Sequence, residues 1–395
     1  MLEPRIRQAV ELMARFTERT GLGGEGSTQR RYLWTDAFAV CNLLGLPGAG
    51  EQSLALAQEL VDHVHHLLGR HRADDNRTGW ISGLDASEGE AHPTFRGLRI
   101  GKPLAERTPL ERIDERLEWD RDGQYFHYLT KWMHALDQVA RATRQPRLNL
   151  WARELADAAH RAFTYSPRGS TRRRMHWKMS IDLSRPLVAS MGQHDPLDGW
   201  VTCVQLEATA IALDSHGSGP DLSRAAADFA SMIDLDALAT GDPLGIGGLL
   251  FDAYRAEQLT SQGALRAQRG LLETLLTAAL VSLQQHLTLP DLRAPASRRL
   301  GFRELGLAIG LAAVPLMKRD VAQRLPHGSV ARTRLEQLAR FAPLRAEIES
   351  FWLRPEHRQA RSWLDHLDIS DVMLATSLAP EGFLVFRPLG AAAEP

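Results

Sequence analysis

The sequence predicts an all-α protein folded as an (α/α)6 toroid, a barrel of six helical hairpins with long loops over one mouth. Three observations carry that expectation. Apolar residues recur at a period near 3.6 while clean alternating strands are scarce. The links between the predicted helices are short and long in a regular order. Every second helix opens on polar and aromatic residues and continues in Gly, Ala and apolar ones.

Starts at Asp, Ser or Pro and stops at Gly or Pro delimit about twelve helices: residues 3–19, 31–46, 51–70, 124–144, 147–163, 197–214, 221–232, 243–258, 263–287, 302–318, 328–350 and 356–367. The segments "ISGLDAS" after Trp80 and "GFLVFRP" from Gly382 are the only short strand candidates. Links after even-numbered helices are short, as in "GLPGAG" from Gly45 and "RQP" from Arg144, and short links make antiparallel hairpins. Long links follow helices three, five and nine, so they gather at the end where the even-numbered helices begin. Gly245, Gly247, Gly248, Gly306 and Gly310 would let the inner helices approach one another. One domain spanning 1–395 is expected, with loops 71–123 and 164–196 over a pocket; a helical solenoid would need short, even loops instead.

Composition narrows the function classes. Forty-seven basic against forty-eight acidic residues leave a formal charge of -1, so no global field would recruit nucleic acid or an anionic membrane. No apolar run approaches membrane-spanning length, and the N-terminal "MLEPRIRQAVELMARF" has helical spacing rather than a signal core. Cys41 and Cys203 can build neither a disulfide framework nor a cysteine zinc site, which makes a reducing, cytoplasmic setting the expectation. No cofactor motif is present: "GIGG" from Gly245 has no preceding strand, and neither G-x-S-x-G nor H-E-x-x-H occurs. His127 has Lys131 as its i+4 neighbour, which argues against a metal there.

With its predicted hairpins, the chain resembles the six-hairpin glycosidase-like superfamily, which includes glycoside hydrolases, unsaturated glucuronyl hydrolases and sugar 2-epimerases. Locally, "RRYLWTDAFAV" resembles the first inner helix of N-acylglucosamine and cellobiose 2-epimerases, where an Arg followed by Trp-Thr begins that helix. Asp36 follows Thr35 where the epimerase pattern has an apolar residue. The resemblance implies a carbohydrate ligand, and the absence of cofactor motifs makes no cofactor the expectation.

Hydrolysis of a glycosidic bond needs two carboxyl groups, one to protonate the leaving oxygen and one to activate water or attack carbon. Asp36, Asp120, Asp122, Asp182, Asp195, Asp198, Asp242 and Glu304 fall at the predicted mouth, and a catalytic pair is expected from Asp36, Asp122 and Asp195. Asp36 lies beside Trp34 and Tyr32, and Asp122 beside Tyr125 and Tyr128; aromatic faces stack on sugar C–H surfaces and reduce local polarity. Asp122 could equally cap the helix that follows it, Asp36 could pair with Arg31 or Arg303, and Asp242 reads as an N-cap before Pro243. Trp34, Tyr125, His127, His176, Trp177, His194, Arg303 and Glu304 are the expected substrate-binding residues. An epimerase drawing an acid/base pair from His127, His176 and His194 is the alternative enzyme, and a non-catalytic helical scaffold or protein-binding module is the alternative outside catalysis.

Overall fold

The computed structural model describes residues 3–24, 30–46, 50–170, 172–265, 270–288, 290–322 and 324–389. In chain order the helices are α1 (Pro4–Arg19), α2 (Leu33–Gly45), α3 (Glu51–Leu68), α4 (Ala86–Ala91), α5 (Glu115–Asp120), α6 (Phe126–Thr143), α7 (Pro146–Phe163), α8 (Asp195–Ala212) and α9 (Ser223–Met232). There follow α10 (Pro243–Ser261), α11 (Leu271–His286), α12 (Gly301–Val321), α13 (Val330–Ala339), α14 (Ala342–Leu353), α15 (Pro355–Arg358), α16 (Arg361–Leu364), α17 (Leu367–Leu378) and α18 (Glu381–Leu384).

Burial alternates along much of this order, with α7, buried over most of its length between α6 and α8, as an exception. Helices α2, α6, α8, α10, α12 and α17 are buried along most of their length. By contrast α1, α3, α9, α11 and α13 bury a stripe at three- and four-residue spacing and leave the opposite face to solvent. The helix expected at 328–350 is broken at Arg340 and Phe341 into α13 and α14, and the one expected at 356–367 is two single turns, α15 and α16. The long helix of that region is α17, which the periodicity did not reveal: Ser370 to Leu378 are all buried, so no polar face marks a stripe. The start expected at 263 for the ninth helix takes in 266–269, outside the described residues, and α11 begins at Leu271.

The chain forms two compact units. One comprises Met1–Thr17, Gly45–Ala49 and Asp234–Phe386. Its centre is the packing of α10 on α12, where a methyl group added at Gly247 would lie 2.1 Å from the Gly306 carbonyl oxygen and one at Gly310 would lie 2.5 Å from the Gly247 Cα. Gly247, Gly306 and Gly310 thus set the helix separation, whereas Gly248 has nothing within 4 Å of such a methyl group. The segment expected as a strand at Gly382 is instead the turn α18, after which Phe386 N donates to Gln258 Oε1 at 2.8 Å.

The second unit comprises Glu18–Leu44, Gly50–Ile233 and Arg387–Pro395. Here α6 packs on α7 and α8, and α8 on α9. The other expected strand, "ISGLDAS", forms no strand: an isolated bridge joins Arg70 to Trp80 just before it, and within it Asp85 caps α4 through Glu88 N at 2.9 Å. Short strands do form elsewhere: β1 (Gln124–Tyr125), β2 (Thr164–Tyr165), β3 (Arg174–Met175), β4 (Lys178–Met179) and β5 (Pro186–Val188). They pair antiparallel as β1-β4-β5 and β2-β3, with Tyr125 opposite Lys178 and Thr164 opposite Met175. These pairings tie the segment before α6 to the long link after α7.

Candidate functional site

Tyr125, in β1, is also the N-cap of α6, in place of the Asp122 cap considered from the sequence. Strand pairing therefore sets the direction in which α6 enters. Phe126 N donates to Trp177 O at 3.4 Å and Trp177 N to Val188 O at 3.2 Å, which brings Trp177 beside the first turn of α6. The result is a continuous group of aromatic rings. Tyr125 lies 5.2 Å from both Tyr128 and Trp177, centroid to centroid. His127 stacks on Trp177 at 5.8 Å with 14° between the planes, and Trp34 of α2 lies 5.9 Å from His127 and 5.1 Å from Tyr128. Tyr32 closes the group, its hydroxyl 2.6 Å from that of Tyr128.

Trp34 and Tyr125 are buried, whereas Tyr32, His127, Tyr128 and Trp177 keep part of their surface open. The buried indole N–H of Trp34 has no hydrogen-bond partner among the described residues. Two lysines stand over the rings: Lys102 Nζ is 5.2 Å from the Tyr32 centroid and Lys178 Nζ is 5.2 Å from that of Tyr125. Burial lowers the pKa of both lysines; Asp120 and Asp122 oppose the shift at Lys102, and Glu118 opposes it at Lys178. Burial also raises the pKa of Tyr32, with Tyr128 adding to it, so this hydroxyl stays protonated. The arrangement offers flat apolar faces, hydroxyls and a cation together, a combination suited to a ring with an apolar face and a polar edge.

The expected carboxylates differ in their surroundings. Asp122 is 0% exposed; its Oδ2 accepts from Arg99 at 3.0 Å and Arg72 at 3.3 Å, and its Oδ1 from Gly101 N and Gly123 N, each at 3.0 Å. Asp36, also buried, accepts from Tyr32 N at 3.0 Å and pairs with Arg31 at 3.4 Å, the alternative considered for it from the sequence. Asp195 opens α8 and its Oδ2 accepts from Gly192 N at 3.1 Å; a side chain at Gly192 would collide with that carboxylate. Asp198, one turn on, accepts from Lys131 Nζ at 2.7 Å and Thr130 Oγ1 at 2.5 Å. Asp120, at the end of α5, is exposed and has no hydrogen bond to its carboxylate among the described residues, and its charge is felt by Lys102 and Tyr125.

The remaining predicted residues fall in several places. His176 is stacked on Tyr165 at 4.2 Å, away from the rings around Trp177, because successive side chains of an extended segment point to opposite faces. His194 is the N-cap residue of α8, its carbonyl accepting from Asp198 N at 3.0 Å. In the other unit Glu304 is buried, paired with Arg299 at 2.6 Å and accepting from Trp352 Nε1 at 2.8 Å, while Arg303 meets the N-cap Asp242 at 2.9 Å. Gln124 ties loops rather than lining a site: Oε1 accepts from Leu98 N at 3.0 Å and Nε2 donates to Ile181 O at 2.7 Å. Further along α6, His134 and Asp137 are wholly buried and hydrogen-bonded to Gln205. Lys102 is the residue that sequence reasoning left out, and Asp120 was named among the mouth carboxylates but not in the expected pair, since neither sits on a long helix and only the loop's path brings them to the aromatic group.

Among the described residues no three His, Cys, Asp or Glu side chains gather as a metal site, and no helix is long and apolar enough to cross a membrane. No protein-family model matches the chain, and no curated protein matches it. Among solved structures, the chain is similar to a selenomethionine derivative of the GH76 alpha-mannanase of Bacteroides thetaiotaomicron, with a TM-score of 0.53, 8% identity and 96% of each chain covered. The likeness spans nearly the whole of both chains, and together with the burial pattern it identifies the fold as the (α/α)6 class.

Proposed function

We propose that the protein is a carbohydrate-active enzyme that hydrolyses a glycosidic bond, with the sugar held on the rings of Trp34, Tyr125, His127, Tyr128 and Trp177. The observation that carries this reading is the half-open aromatic group with Lys102 and Asp120 at its edge. Aromatic faces would take the sugar's C–H surfaces, and the Trp34 N–H and the tyrosine hydroxyls its oxygens. Of the carboxylates, Asp120 and Asp195 are assigned to the two proton-transfer roles, one giving a proton to the leaving oxygen and one activating water. Asp36 and Asp122 are assigned to positioning, because each is bonded to an arginine and to backbone N–H groups and would have to break that frame to act on a substrate. The epimerase reading needs a second histidine beside His127, and the stacking of His176 on Tyr165 weighs against that partner.

The test is turnover and thermal shift against oligosaccharides, with α-linked mannose oligomers first because the structural neighbour is an alpha-mannanase. Asp120→Asn is expected to lose at least about a hundredfold in kcat, the usual scale of general acid–base assistance, while keeping ligand-induced stabilisation. Full activity in both Asp120→Asn and Asp195→Asn would overturn the assignment. Absence of binding to any sugar would favour a helical scaffold.

A further inference from the structure

We infer that the aromatic group continues outward through Trp119 as a binding strip for an oligosaccharide chain, so that Trp119 selects for substrate length. The inference rests on the carbohydrate reading above. Trp119, on α5, is 49% exposed and lies 5.3 Å from Trp177, edge to face at 79°. From there the ring-to-ring steps run 5.8 Å to His127 and 5.9 Å to Trp34, while exposure falls to 5% at Trp34. Each step is comparable to the length of one sugar ring. A monosaccharide could cover only part of such a strip.

The exposure of Trp119 is held in place. Its neighbour Glu118 is buried, and Lys178 Nζ donates to Glu118 O at 2.7 Å, Glu118 Oε1 at 3.0 Å and Arg121 O at 2.8 Å. Arg107 Nε adds a bond to Glu118 Oε2 at 3.3 Å. These bonds anchor the inward side of α5, so the backbone that carries the outward indole is already ordered before binding. The indole N–H groups of Trp119 and Trp177 make no hydrogen bond among the described residues, which leaves donors for sugar hydroxyls beside each apolar face. An oligosaccharide fits this pattern better than a protein partner does, because the exposed ring continues a row of rings with polar groups at its edge.

The test is binding, not turnover, so that it reads separately from catalysis. A glycan array bearing neutral and acidic oligosaccharides identifies a ligand series, and titration calorimetry then follows mannose and its α-linked oligomers, or the array's best series, as length increases. Wild-type affinity is expected to rise with length, and Trp119→Ala to remove about three- to tenfold of that gain for the longer oligomers while leaving the shortest unchanged. Trp119→Phe should restore most of the loss. Equal weakening at every length, no dependence on length, or a dimer that Trp119→Ala dissolves would each overturn the inference. No binding of wild type to any glycan would instead bring down the carbohydrate reading on which it rests.

Discussion

Replacing Asp122 by Ala distinguishes a framework carboxylate from a catalytic one. The wild-type side chain is wholly buried and joins Arg72, Arg99, Gly101 N and Gly123 N in one knot between the long link after α3 and the start of β1. Removing one partner of a buried ion pair costs about 3–5 kcal/mol, because the other charge is left desolvated. The lower end applies here. Arg99 keeps the carbonyls of Arg70 and Leu67 at 3.0 and 2.8 Å, and Arg72 keeps Asp74 and the carbonyl of Lys102. A loss of about 3 kcal/mol, at a urea dependence of about 1–3 kcal/mol per molar, lowers the unfolding midpoint by about 1–3 M. Urea titration followed by tryptophan fluorescence and circular dichroism measures it, with separate analysis of any transition that is not two-state. An unchanged midpoint together with abolished turnover would refute the reasoning and return Asp122 to the catalytic pair.

Two further perturbations test the rest of the structure. Gly247→Ala places a methyl group against the backbone of α12, where no side-chain rotation relieves the contact, and should destabilise by about 1–3 kcal/mol; Gly248→Ala, with open space around it, should not, and matched urea midpoints for the two variants would contradict the proposed close approach. His65 accepts from Trp132 Nε1 at 3.1 Å, and burial lowers its pKa from 6.5 to about 3. The unfolded chain therefore takes up the extra proton between those values, so this contribution to stability is complete above about pH 6.5 and is lost as the pH falls towards 3. Stability measured from pH 4.5 to 7 should slope less in His65→Gln, which can still accept from Trp132; an identical slope would remove His65 as the cause.

The periodicity of the chain determined its class and most of its helices by itself, because a helix with one wet face writes its spacing into the sequence, as Leu12, Met13 and Phe16 do in α1. The same rule explains the miss at α17, where burial on all sides erases the spacing. Composition also singled out the aromatic residues around Trp34 and Tyr125, and Arg31 as a partner for Asp36, since these lie within a few residues of one another. What only the tertiary structure decided was which carboxylates are tied to arginines and which is open. Asp122 meets Arg72 across fifty residues of chain, Trp177 reaches Tyr125 through strands only two or three residues long, and Glu118 rather than Asp120 turns inward to Lys178. Such pairings depend on how the long links cross, and two-residue strands and ion pairs distant in sequence leave no period by which to read them beforehand.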